Sequence, residues 1–152
     1  MGDVLFYHLT RTPLEATLPN LLIRSLERGW RVAVQGRDPA RLNWLDQRLW
    51  ALGDDSFLPH GVQDGPHDAD QPILLCVDSP LDNKPDCVML IDGAPIELAH
   101  LTALSRTCIL FDGNDDAAVN TARGQWKQVT GAGAKAQYWS EESGRWEKKA
   151  EA

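Results

Sequence analysis

The chain has 152 residues, 43% of them apolar and 24% charged, with a formal net charge of −7. That is one domain's worth of chain with ordinary soluble composition, enough to bury a single core. No run approaches membrane-spanning length, and the opening Met-Gly-Asp-Val-Leu-Phe lacks a signal peptide's basic flank and long apolar run, so the expected location is cytoplasmic, with no membrane partner. The charge is uneven. Residues 54–116 carry 13 acids against 2 bases, and the flanking segments are mildly basic, with 7 bases to 5 acids before and 6 to 4 after. A protein that grips nucleic acid unaided needs a basic stripe to displace counterions, and this pattern argues against direct DNA binding.

Asp3 to Leu9 reads as a strand, rich in aliphatic and aromatic residues. Thr12 and Glu15 make a capping box around Pro13 for a helix to about Arg28, with Leu14, Leu18, Leu21, Leu22 and Leu26 on one face. Gly29 stops it, and Trp30 to Val34 is a second strand. Asp38 caps the next helix with Pro39 at its first position, and Leu42, Leu45, Leu49 and Leu52 form its apolar stripe. Trp50 falls off that stripe, on the flank. Gly53 ends the helix, and Phe57, Leu58 and Pro59 follow an acidic turn. Bulky apolar groups in an exit loop beside an off-stripe Trp form either an exposed partner patch or an inward-folded lid over the helix end.

Val62 to Gln71 has loop composition. Pro72 to Val77, Cys87 to Ile91 and Thr107 to Phe111 are strand-length apolar runs, and Ala94 to Leu104 reads as a short helix. Asn114 caps a last helix to about Thr130, with Asp115 and Asp116 at its positive end. Lys135 to Ser140 and Gly144 to Lys148 read as a terminal hairpin. Strands alternating with helices over short connections imply one α/β domain over residues 1–149, with a mostly parallel central sheet, helices on both faces, and a frayed end over 150–152.

Sites for chemistry are scarce. The first strand-to-helix turn, His8-Leu9-Thr10-Arg11-Thr12-Pro13, has no glycine to let a phosphate approach the backbone, and no Gly-x-x-x-x-Gly-Lys-Ser/Thr occurs. The fold is therefore expected to be Rossmann-like without a phosphate-binding loop. There is no Gly-x-Ser-x-Gly elbow. Cys76, Cys87 and Cys108 sit singly in apolar runs and read as buried thiols, without the paired spacing of a zinc site. His8, His60, His67 and His100 are scattered and read as surface or capping residues. Asp112-Gly113-Asn114-Asp115-Asp116 reads as a turn and cap, with a divalent-ion site as its competitor. No catalytic residue, metal or cofactor is expected.

The last helix offers more. Val119, Arg123, Trp126, Lys127 and Thr130 recur at steps of three and four and share a face. An aromatic wall, an apolar floor and two cations suit an acidic peptide that ends in a bulky side chain and a free carboxylate. The competing reading packs Trp126 on the sheet and leaves Arg123 and Lys127 merely solvated.

Leu45-Asp46, Leu49-Trp50 and Ser56-Phe57-Leu58-Pro59-His60 resemble the signature of the chi subunit of the bacterial DNA polymerase III holoenzyme. Phe6-Tyr7, Asp112, Ala122-Arg123 and Trp126-Lys127 extend the resemblance over most of the chain. It implies a non-catalytic replication subunit that links clamp loader and polymerase to the acidic, Phe-terminated tail of single-stranded DNA-binding protein, so that contact with DNA is indirect. The tail site it implies is Val119, Arg123, Trp126 and Lys127, with Arg123 as the key arginine, Trp126 in place of a tyrosine, and Val119 where better-known members carry a lysine. It further implies that Trp50, Phe57, Pro59 and His60 bind the psi subunit or another clamp-loader component. The alternatives are a small α/β enzyme or nucleotide-binding protein with an unrecognised site, or a plain interaction module working through the Trp50–Phe57 surface.

Overall fold

The computed structural model describes residues 2–51, 58–65, 67–77 and 83–152. Phe57, Leu52 and Gly53 lie outside them. The elements are β1 (Asp3–Leu9), α1 (Leu14–Glu27), β2 (Val32–Gly36), α2 (Pro39–Trp50), β3 (Gly61–Val62), β4 (Ile73–Val77), β5 (Cys87–Leu90), β6 (Arg106–Asp112), α3 (Asp116–Gly131), β7 (Ala136–Ser140) and β8 (Glu147–Glu151). The strands form one sheet in the order β3-β4-β2-β5-β6-β1-β7-β8, parallel throughout except for the antiparallel β7–β8 hairpin.

Both faces of this sheet are covered, which explains why its central strands are continuous apolar runs and do not alternate. Val32, Val34, Ile73, Leu75, Met89 and Leu110 point to one side, where the stripes of α1 and α2 (Leu14, Leu18, Leu22, Leu42, Leu45, Leu49) meet them. Val4, Phe6, Ala33, Val88, Leu90 and Ile109 point to the other, under α3 and the loop carrying Ala94, Leu101 and Leu104. Each fully buried Leu or Ile contributes about 1.5–3 kcal/mol of transfer free energy, so these two layers are the main source of stability. At the open edge, β8 carries Glu147, Lys148, Lys149 and Glu151, and charge there discourages pairing with another sheet.

Several expectations are corrected. The Thr12–Glu15 capping box does not form: Pro13 occupies the N-cap position without a side-chain cap, because the Thr12 hydroxyl bonds Thr17 and Glu141. Asp115, and not Asn114, caps α3, accepting the amides of Ala117 and Ala118. Asn114 is committed elsewhere, its amide to Asp112 and its side chain to the Thr10 carbonyl. Ala94 to Leu104 holds a single 3-10 turn at Leu98–His100, since Gln125 Nε2 donates to the Ala94 carbonyl and Gly2 N to that of Leu101. β8 runs to Glu151, and Ala152 exchanges two backbone hydrogen bonds with Ala136, where fraying was expected. The Asp38 cap on α2 is present, its carboxylate accepting the Ala40 amide at 3.0 Å.

Candidate functional site

β1 and its neighbour β6 end side by side, and the chain leaves them toward opposite faces, into α1 and α3. This is the switch point at which open α/β sheets bind ligands, and a crevice of about 770 Å³ opens there, lined by Thr10, Arg11, Arg37, Arg41, Asp92 and Gln125 among others. The amides that would receive a phosphate are already taken. Glu141, only 4% exposed, extends Oε1 from the β7–β8 turn to the amides of Thr10, Arg11 and Thr12 at 3.0, 2.8 and 2.8 Å. Burial pushes its carboxyl up, but the bonds from Thr12, Arg11 and Thr10 outweigh that and hold it below its ordinary value. Asp38 and Asp115 fill the N-termini of α2 and α3 in the same way. Arg41 on the rim pairs with Asp92 at 3.0 Å.

The α3 face is built differently. Val119 and Trp126 are partly buried against the core beneath α3, while Arg123 and Lys127 are exposed. Thr130, the fifth residue of the face, turns its hydroxyl back to the Trp126 carbonyl at 2.8 Å. The Trp126 ring lies 5.3 Å from Phe6 and 6.3 Å from Tyr138, centroid to centroid. Tyr138 in turn stands 5.7 Å from His8 and 6.0 Å from Phe111. Burial, and after it the charge of Glu142, pushes the Tyr138 phenol above its ordinary value, and Arg123 pulls the other way. Among the described residues, neither Arg123 nor Lys127 forms a salt bridge. The result is an aromatic shelf edged by two cations that have no salt-bridge partner among the described residues.

A family profile described as DNA polymerase III chi subunit, HolC, matches residues 1–137. The chain belongs to the DNA polymerase III chi subunit family. Membership places it among the accessory subunits of a replicative polymerase, with a role in DNA replication. Comparison with curated proteins finds no match. No helix among the described residues is long and apolar enough to cross a membrane.

The second patch expected of a chi-family chain lies at the end of α2. Trp50 is 51% exposed, and its ring lies tilted over His60 with centroids 4.3 Å apart. His60 is not a surface histidine: it is buried, with Nδ1 2.6 Å from the Leu58 carbonyl oxygen and Nε2 3.1 Å from Asp46 Oδ1 at an angle too oblique for a good hydrogen bond. Leu58 enters the core and Pro59 is partly exposed, so the described part of the patch is Trp50 with Pro59 at its margin. His8 is also buried, stacked 5.2 Å from Phe111 with Nε2 3.4 Å from the Gly113 carbonyl oxygen. Gly113 has to be glycine: a Cβ there would stand 2.1 Å from the His8 ring. His67 is exposed and His100 partly so.

The three cysteines are buried. A hydrogen bond with Cys108, and then burial, push the Cys87 thiol well up. Among the described residues no group of three or more His, Cys, Asp or Glu is placed to hold a metal ion. Sequence reasoning missed Tyr138 as part of the α3 shelf and Glu141 as the plug of the crevice. Only the order of the strands brings them to β1, and no local pattern signals either.

Proposed function

We propose that this chi-family subunit is a non-catalytic adaptor that tethers the polymerase to single-stranded DNA-binding protein by holding that protein's acidic C-terminal tail on the α3 face. Arg123 takes the terminal carboxylate, Lys127 adds long-range attraction, and Val119 and Trp126 cover the terminal aromatic side chain. The observation that supports this most is the pair of cations without a salt-bridge partner among the described residues beside the Trp126–Phe6–Tyr138 shelf. Cations already paired within the chain would have to be released before they could bind anything.

The Trp50 surface, with Pro59 and with His60 supporting Trp50 from beneath, is the face for psi or another clamp-loader component, and Phe57, outside the described residues, is assigned to the same partner. DNA is reached only through the bound proteins, and the work is cytoplasmic. A nucleotide-binding reading draws no support from the crevice, because Glu141, Asp38 and Asp115 already satisfy the amides a phosphate would need. In calorimetry against a Phe-terminated acidic peptide, Arg123→Ala should lose about 1.5–3 kcal/mol, the range for a hydrogen bond to a charged group. Unchanged affinity would remove Arg123 from the site.

A further inference from the structure

We propose that Glu142 is a specificity-determining residue of the α3 face: an acidic post that repels an incoming anionic tail from the β7 side and steers its carboxylate toward Arg123 and Lys127. The inference rests on the tail-binding reading and adds to it a residue beyond the 137 positions matched to the family.

Three observations carry it. The backbone of Glu142 is pinned, its carbonyl accepting Arg11 Nη2 at 2.8 Å and Nε at 3.2 Å while its amide donates to Ser140 Oγ at 3.3 Å. Its carboxylate lies 3.6 Å from His8 Nδ1 yet is 61% exposed, so its charge faces solvent from a fixed place. The His8 ring lies tilted 5.7 Å from Tyr138, and Tyr138 stands edge-on to Trp126 at 6.3 Å, so Glu142, against His8, flanks the shelf on its β7 side. The Tyr138 phenol feels both charges, in opposite senses. An acidic peptide on this shelf meets one negative charge beside the two cations, and it binds in the direction that keeps its carboxylate away from Glu142. Like-charge repulsion at so exposed a site is modest and screened by salt.

The test is a calorimetric titration of the full chain with a Phe-terminated acidic peptide, comparing wild type, Glu142→Gln, Glu142→Lys and Arg123→Ala at low and high salt. Affinity should rise about two- to five-fold in Glu142→Gln, the scale of one exposed charge pair, and further in Glu142→Lys, with the differences shrinking at high salt. Melting temperatures should hardly move. If Arg123→Ala weakens binding while both Glu142 variants match wild type, the role of Glu142 is overturned and the tail site stands. If wild type and Arg123→Ala bind equally, or neither binds, the tail reading falls and takes this inference with it.

Discussion

Glu141 shows how one side chain can change what a fold is able to do. Its carboxylate sits where a phosphate would lie in a nucleotide-binding relative of this architecture, and it ties the terminal hairpin to the turn before α1. Its carboxyl is held below its ordinary value in the folded chain. The stability it adds is therefore fully present above the unfolded value, about 4.3 for a glutamate, and is lost as pH falls through the folded one. Glu141→Gln should cost about 1.5–3 kcal/mol at neutral pH. Urea unfolding from about pH 6 to about pH 3 should show a steeper loss in wild type than in the variant. Parallel pH dependences would mean that the carboxylate does not hold the turn. None of this was legible beforehand, since Glu141 binds residues 129 to 131 positions away and its neighbours read as an ordinary acidic turn.

At the scale of elements, what repeats along the chain was readable. Leu42, Leu45 and Leu49 of the α2 stripe, its Asp38 cap, the off-stripe place of Trp50 and the helix that gives α3 its shared face follow from periodicity and capping chemistry alone, and the structure has them. What depended on a distant partner was not. The segment from Ala94 to Leu104 carries apolar residues at helical spacing, but two of its carbonyls are claimed by Gln125 and Gly2. Thr12, proposed as a cap, is likewise drawn off by Glu141. Trp50, which the sequence left open between an exposed patch and an inward-folded lid, is exposed. Trp50→Ser should leave the melting temperature nearly unchanged while costing at least about 2 kcal/mol of affinity for a purified psi subunit, as for an aromatic anchor. A large fall in melting temperature with binding intact would make Trp50 a lid on His60 and no more.

For the whole molecule, the sheet separates the two surfaces proposed for binding. α1 and α2 cover one side and α3 the other, so two partners bound as proposed would not compete for the same face. Net charge of −7, with the acids gathered in the middle of the chain, fits the proposal that DNA is reached only through other proteins. The resemblance drawn from short, ordered motifs and the family match over residues 1–137 agree, while the order of strands that assembles the shelf could not be read from the sequence.

The most direct measurement is a calorimetric comparison of two acidic, Phe-terminated peptides titrated into the full chain, identical except that one ends in a free carboxylate and the other in an amide. If the α3 face captures the tail by its terminus, amidation should weaken binding by roughly ten- to a hundred-fold, the equivalent of one charge-assisted hydrogen bond. Equal affinity for the two peptides would contradict the account.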